Sequence, residues 1–142
     1  GDLPELEGNV GIAGVSSRVQ AVFDVCGPAN LLTLKPKAGT PNTNAVRDLL
    51  GGPATEKIEL ARSASPVSYA SADDAPFLIY HGEADDVVPI AQSRELATAL
   101  QNAGAIVYFV PIPNAGHDLR EVMTPSPQLS QNALAFFDRY LR

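Results

Sequence analysis

Residues 76 to 89 read PFLIYHGEADDVVP and join an apolar run of strand length to an acidic loop. Its first five residues form a continuous apolar run, which is typical of a strand buried on both faces of a parallel sheet. The run stops at His81 and Gly82, and an acidic loop with Asp85 and Asp86 follows. The pattern predicts a central strand whose carboxyl end carries two carboxylates.

Two further apolar runs lie on either side of this strand in the sequence. Residues 18 to 26 read RVQAVFDVC and are closed by Gly27 and Pro28, while residues 106 to 112 read IVYFVPI. Both runs are rich in β-branched residues and have the length of a strand rather than of a helix. We therefore predict three strands, with the strand at 18–26 buried on both faces.

Helical signals follow the second and third strands. Pro89 suits the first turn of a helix, Leu96 and Leu100 lie one turn apart on one face, and Gly104 suits the C-cap. Residues 129 to 141 carry apolar side chains at helical spacing, which predicts a closing helix with a wide apolar stripe.

The order strand, helix, strand, loop, helix is typical of the α/β class. Such a chain forms a parallel sheet with right-handed crossovers and helices on both faces. Residues 28–74 are rich in proline, threonine and asparagine, and they contain two short helical patterns at 43–51 and 55–64. We predict that 28–74 is an excursion over the strand ends.

Ligands of such sheets bind beyond the carboxyl ends of the strands. Cys26, the loop of Asp85 and the GHD sequence at 116–118 all follow predicted strands, so we expect them to converge. Acyl transfer needs an imidazole base whose tautomer is fixed by a carboxylate, and His117 and Asp85 suit these two roles. Asp86 is expected to remain in solvent, because adjacent side chains on a tight loop diverge.

Three stretches of this sequence resemble the C-terminal third of the α/β-hydrolase superfamily. They are HGEADDVVP at 81–89, QSRELATALQNAG at 92–104 and PNAGHD at 113–118. In that superfamily the acid occupies the fifth position of an HGxxD loop, which corresponds to Asp85. The histidine lies in a GH pair after the last strand, which corresponds to His117.

Two other stretches, SSRVQAVFDVCGPANL at 16–31 and SPVSYAS at 65–71, resemble esterases of the carbohydrate, acetyl or feruloyl type. They are also similar to catalytic domains of prolyl oligopeptidase-like peptidases. The resemblance implies a serine-type carboxylic ester hydrolase that acts on small-molecule esters without a cofactor. A serine peptidase of the prolyl oligopeptidase type, or a non-catalytic remnant or binding module, is the alternative.

The nucleophile expected from this resemblance has no counterpart in the sequence. A serine in a GxSxG elbow between a strand and a helix is typical of the fold. The string GVSSR at 14–18 has arginine in place of the second glycine and precedes a strand, so Ser16 is a poor candidate. We expect the first five strands, the oxyanion loop and the elbow to precede Gly1, and residues 1–142 to form one partial domain.

Other side chains with reactive groups have alternative interpretations. Cys26 could act as a thiol nucleophile, but DVCGP is not an elbow, and buried cysteines at strand ends are mostly packing residues. His81 ends a buried strand and is expected to be structural. A metal site is conceivable by residue type, but it lacks a spacing such as HExxH; its ligands would be His81, Asp85, Asp86, His117 and Asp118.

Composition restricts the partners. Hydrophobic residues make up 45% of the 142 residues, which is enough for a core, and the net charge of −6 argues against attraction to nucleic acid or an anionic membrane surface. No apolar run has the length of a membrane span, and the sequence gives no indication of localisation.

In a partial sheet, strand 18–26 would expose an edge. We expect a missing N-terminal segment, or self-association, to cover it.

Overall fold

A computed structural model describes residues 15–35, 37 and 44–141 of the chain. Within them, three strands form a parallel sheet in the order β1-β2-β3. The strands are β1 (Val22–Val25), β2 (Phe77–Gly82) and β3 (Val107–Ile112). The strand formed by the apolar run at 76–80 is therefore central, as predicted. Its pairing with β3 runs from Phe77 through Gly82, so the strand begins one residue after the start of the apolar run and ends two residues beyond it.

The first strand is shorter and less buried than predicted. Only Val22–Val25 pair with β2, residues 15–20 are exposed, and all four strand residues are partly exposed. The prediction of a strand at 18–26 buried on both faces is therefore wrong for the described residues. The physical reason is its place at the edge of the sheet, where β2 is its single neighbour among those residues.

Five α-helices and a 3₁₀ helix surround the sheet within the described residues. They are α1 (Ala45–Leu50), α2 (Ile58–Ser63), a 3₁₀ helix (Pro66–Tyr69), α3 (Ala91–Ala103), α4 (Leu119–Met123) and α5 (Pro127–Tyr140). Gly104 closes α3 with φ 91°, as the sequence predicted. Pro89 lies just before this helix rather than in its first turn, and α4 was not predicted. Residue 43, the predicted start of the first short helix, lies outside the described residues.

Successive residues of β2 face opposite layers of the molecule. Leu78 and Tyr80 pack in one cluster with Phe136 of α5, whereas Ile79 packs in another with Leu100 of α3. This alternation follows from the period of two along a strand. Burying each large apolar side chain contributes about 1.5–3 kcal/mol, so α3 and α5 are fixed on opposite faces of the sheet.

The segment between β1 and β2 has a small apolar cluster of its own, formed by Leu31, Leu50 and Ala61. Gln92 of α3 ties the start of this segment to the main core. Its side-chain oxygen accepts hydrogen bonds from the backbone N–H groups of Ala29 and Asn30 at 3.0 and 2.8 Å. None of the helices within the described residues is both long and apolar enough to cross a membrane.

Candidate active site

The acidic loop after β2 holds the Asp85 carboxylate in a fixed orientation. Oδ1 accepts hydrogen bonds from the backbone N–H groups of Val87 at 2.9 Å and Val88 at 2.8 Å. This is the local turn that aspartate forms with its own backbone two and three residues on. The side chain has no solvent exposure, so its second oxygen, Oδ2, points into the protein.

The loop after β3 packs directly against the end of β2. Ile112 accepts a hydrogen bond from the N–H of Glu83 at 3.0 Å, and Ala115 accepts one from Ala84 at 2.9 Å. A Cβ atom at Gly82 would lie 2.3 Å from the carbonyl oxygen of Ala115, so only glycine permits this approach. The close contact brings the residues that follow Ala115 over the acidic loop.

His117 meets Asp85 at this point. Nδ1 of His117 lies 2.8 Å from Oδ2 of Asp85, and the imidazole is 36% exposed while the carboxylate is fully buried. A carboxylate oxygen accepts, so Nδ1 carries the proton and donates. In the neutral ring Nε2 is then unprotonated, and no group within the described residues hydrogen-bonds to it. The imidazole has the tautomer that a general base needs.

The neighbours of these two residues have other roles. Asp86 is exposed and forms an ion pair of 2.7 Å with Nζ of Lys37, which confirms that it lies on the solvent side. Asp118 caps the start of α4 by accepting from the N–H of Arg120 at 2.7 Å. Neither carboxylate points at the imidazole of His117, so Asp85 is the acid in contact with it.

Cys26 lies beside the Asp85 carboxylate at the end of β1. It is 2% exposed and has a left-handed backbone with φ 55°. Burial, followed by the negative charge of Asp85, raises the pKa of its thiol to about 11, against a lowering contribution from the backbone of Gly82. Since the thiolate is the nucleophilic form, Cys26 is protonated and unreactive at neutral pH, and the interpretation as a packing residue is the better one.

Ser16 lies near the amino ends of the strands, whereas His117 lies beyond their carboxyl ends. Ser16 lines a surface cavity together with Asp73 and Pro76, which precede β2, whereas His117 follows the end of β3. Its hydroxyl accepts a hydrogen bond from the N–H of Arg18. The structure therefore does not bring Ser16 to the imidazole.

The five residues considered for a metal site do not converge, because Asp86 and Asp118 are used elsewhere. Among the described residues, Cys26, His81 and Asp85 place one potential ligand atom each within 4.8 Å of one another. However, Nε2 of His81 lies 2.7 Å from the carbonyl oxygen of Val88. A carbonyl can only accept, so this nitrogen carries a proton rather than a lone pair. The chemistry of this donor set does not fit a metal ion.

A cavity of about 320 Å³ opens beside His117. Its lining within the described residues contains no carboxylate, ammonium or guanidinium group, and it includes residues from the segment between β1 and β2. The lining residues are Val25, Cys26, Gly27, Pro28, Leu34, Ala45, Val46, Val87, Val88 and His117. The cavity can therefore take an uncharged group next to the imidazole.

Four residues that contribute to this site were not identified from the sequence. The N–H groups of Val87 and Val88 could have been identified, because an aspartate in a loop often accepts hydrogen bonds from the backbone two and three residues on. Ser93 lies in α3 and contacts Nδ1 of His81 at 2.7 Å, and Glu121 accepts from the N–H of Gly116 at 2.7 Å. No local pattern marks these two, because their partners are distant in the chain or lie across a loop.

The sequence of this chain is similar to one family model and to several known hydrolases. The BD-FAE family model matches residues 2–100. Esterase LipQ of Mycobacterium tuberculosis (strain ATCC 25618 / H37Rv) is 39% identical over 79 residues, which are 55% of this chain and 19% of that protein. The uncharacterized peptidase YuxL of Bacillus subtilis (strain 168) is 38% identical over 79 residues, 54% of this chain and 12% of that protein.

A solved structure matches nearly the whole chain. The truncated form of a carbohydrate esterase from gut microbiota superposes with a TM-score of 0.78 at 30% identity, and the match covers 96% of this chain and 48% of that one. The chain thus spans about half the length of this structure and about a fifth or less of the two curated relatives. The family match covers more than half of the chain, and together with the parallel sheet and its flanking helices it shows that the chain belongs to the BD-FAE family and has the α/β-hydrolase fold.

Proposed function

We propose that residues 1–142 form the C-terminal part of a serine-type carboxylic ester hydrolase. In this proposal His117 is the general base and then the general acid, and Asp85 orients its ring. The observation that carries the proposal is the 2.8 Å contact between Nδ1 of His117 and Oδ2 of Asp85, with Nε2 left available on the exposed side of the ring. This is the geometry in which an imidazole activates a hydroxyl nucleophile.

The reaction follows from these two groups. Nε2 of His117 takes the proton of a serine hydroxyl as that oxygen attacks the ester carbonyl, while Nδ1–H remains hydrogen-bonded to Asp85. The imidazolium then protonates the departing alcohol. A water molecule then gives a proton to the same Nε2 as its oxygen attacks the acyl-serine, and the imidazolium returns that proton to the serine oxygen as the carboxylic acid leaves. This route uses no cofactor.

The serine, in this proposal, comes from a part of the protein outside these 142 residues. The sequence has no GxSxG elbow, and the relatives that it matches are longer than the matched region. The position of β1 (Val22–Val25) supports the same proposal. Among the described residues this strand pairs with β2 alone, so its other side is unpaired. A preceding strand that carries the elbow could pair along that edge.

The substrate is proposed to be a small ester with an uncharged group beside His117. The adjacent cavity of about 320 Å³ has apolar walls that include Leu34, Ala45 and Val46 from the segment between β1 and β2. Burying an ionised group there without a partner would cost several kcal/mol. In the whole enzyme, the described residues of the segment between β1 and β2 would thus form one wall of the substrate pocket over the strand ends.

The test is hydrolysis of short-acyl nitrophenyl esters by the complete natural protein that contains these residues. His117→Ala should lower kcat by about 10³-fold or more, because the nucleophile then loses its base. Asp86→Asn is the matched control on the neighbouring exposed carboxylate, and it should retain activity. Turnover that survives His117→Ala in the complete protein would contradict the proposal. So would turnover by the 142 residues alone that survives the same substitution.

A peptidase is the second candidate. The uncharacterized peptidase YuxL is 38% identical to this chain over 79 residues, nearly as similar as the esterase LipQ at 39%. Parallel assays with peptide nitroanilides and nitrophenyl esters separate the two activities. Faster cleavage of the amide series would favour the peptidase. Absence of both activities in the complete protein would favour a non-catalytic remnant or binding module.

A further inference from the structure

His81 is a buried polar side chain that the proposed mechanism does not use. It lies at the end of β2 with no solvent exposure. Its Nδ1 lies 2.7 Å from the hydroxyl oxygen of Ser93, and its Nε2 lies 2.7 Å from the carbonyl oxygen of Val88. Nε2 is also 3.3 Å from Oδ2 of Asp85, the same oxygen that binds His117. One nitrogen of His81 therefore faces both the backbone of the acidic loop and the carboxylate on it.

These contacts fix the tautomer of the His81 ring. The carbonyl oxygen of Val88 has only lone pairs, so Nε2 must donate to it. In the neutral ring, Nδ1 is then an acceptor for the O–H of Ser93, a residue of α3. Ser93 consequently holds the imidazole with its Nε2–H directed at the acidic loop.

The acidic loop is held from two sides as a result. The N–H groups of Val87 and Val88 bind Oδ1 of Asp85. His81 binds the carbonyl of Val88 and approaches Oδ2 of Asp85. Loss of the imidazole N–H would leave the Val88 carbonyl without this donor and would remove a group that limits rotation of the carboxylate. The orientation of Asp85 toward His117 depends on that rotation.

We infer that His81 is a positioning residue, which acts on the reaction by holding Asp85 and the backbone of Val88 in place for His117. This inference rests on the proposed function, because it assigns His81 a role through the proposed acid. The group of His81 that does this is the Nε2–H, and the hydrogen bond from Ser93 to Nδ1 keeps the proton on Nε2. A purely structural histidine would contribute to folding and leave the chemical step unchanged.

The test compares two substitutions at position 81 in the complete natural protein. His81→Leu removes the N–H, whereas the amide of His81→Gln can place a donor near the position of Nε2. We expect His81→Leu to lower kcat for a short-acyl nitrophenyl ester by about 10- to 100-fold with little change in KM. Activity falls by about the same factor in metal sites when a hydrogen-bonding partner behind a ligand side chain is removed. His81→Gln should recover at least half of that loss on a logarithmic scale.

A matched control comes from the preceding residue of the same strand. Tyr80 is also buried, and its hydroxyl donates to the carbonyl of Leu129 at 3.0 Å on the opposite face of the sheet. Tyr80→Phe should lower the melting temperature and leave kcat per active site unchanged. Active sites are counted by the nitrophenol burst, so that a smaller folded fraction is not mistaken for slower chemistry.

Two results would overturn the inference. One is a kcat per active site of His81→Leu equal to that of Tyr80→Phe, and the other is a kcat of His81→Gln no higher than that of His81→Leu. If His81→Leu does not fold, Ser93→Ala replaces it, with an expected loss in kcat that is smaller but still greater than that of Tyr80→Phe. His117→Ala, measured alongside, separates the hypotheses, because its retained activity would defeat the proposed function itself.

Discussion

The imidazole of His117 lies 2.8 Å from the carboxylate of Asp85 across the ends of two neighbouring parallel strands, although 32 positions separate the two residues. The contact is asymmetric. Asp85 is buried and is already held by the N–H groups of Val87 and Val88, whereas His117 is 36% exposed. The acid is therefore the fixed member of the pair, and the position of the histidine depends on the loop after β3.

Gly82→Ala should disturb this loop. The added Cβ would come within 2.3 and 2.4 Å of the carbonyl oxygens of Ala115 and Gly116, so the backbone before His117 must move. A shift of about 1 Å at a catalytic group costs on the order of 100-fold in rate, and overpacking costs about 1–3 kcal/mol of stability. Ester hydrolysis and urea unfolding measure the two effects.

Gly52→Ala is the matched control for that substitution. A Cβ at Gly52 meets only the side chain of Lys57, at 3.2 Å from Cε and 3.6 Å from Cγ. Both kcat and stability should stay close to those of the natural protein. Equal effects at the two glycines would contradict the close approach described at Gly82.

The thiol of Cys26 should make stability depend on pH in the alkaline range. Its pKa is raised from 9.0 to about 11 in the folded protein, so the folded state retains a proton that the unfolded chain loses first. This contribution to stability is fully present below pH 9.0 and is lost as pH rises through about 11. Urea unfolding from pH 8 to 11 should show a steeper fall in stability for the natural protein than for Cys26→Ser. Equal slopes would show that the thiol is not shielded in the folded state.

Gln92 should be needed to anchor the segment between β1 and β2. Gln92→Leu would leave the N–H groups of Ala29 and Asn30 without their acceptor. The buried group of Ala29 alone should cost about 1–3 kcal/mol of stability. Gln101→Leu, at an exposed position of the same helix, should change stability by about 0.5 kcal/mol at most. Thermal unfolding compares the two variants, and a larger loss for Gln101→Leu would refute the anchoring role.

Part of this architecture could be predicted from the sequence because the signals are local. The apolar runs at 76–80 and 106–112 identify β2 and β3 to within two residues at each end. The run at 18–26 was misleading because a strand needs partners as well as propensity. Among the described residues of this run, only Val22–Val25 pair in register with β2, and Cys26 adds a single hydrogen bond from its N–H to the carbonyl oxygen of Tyr80.

The proximity of Asp85 and His117 was also expected, because loops that follow adjacent parallel strands share one edge of the sheet. The environment of His81 could not be predicted in the same way. Its contacts depend on which face of α3 turns Ser93 inward and on how the acidic loop folds back at Val88. Both are consequences of tertiary packing, for which the sequence carries no local pattern.

The most direct test of the Asp85–His117 pair is a double-mutant cycle on kcat/KM for a short-acyl ester in the complete natural protein. Asp85→Asn should reduce kcat/KM by about 10³-fold or more, because the amide cannot stabilise the imidazolium and favours the wrong tautomer. If the two residues act as a unit, Asp85→Asn combined with His117→Ala should be no slower than His117→Ala alone. Losses that multiply in the double variant would contradict the pairing.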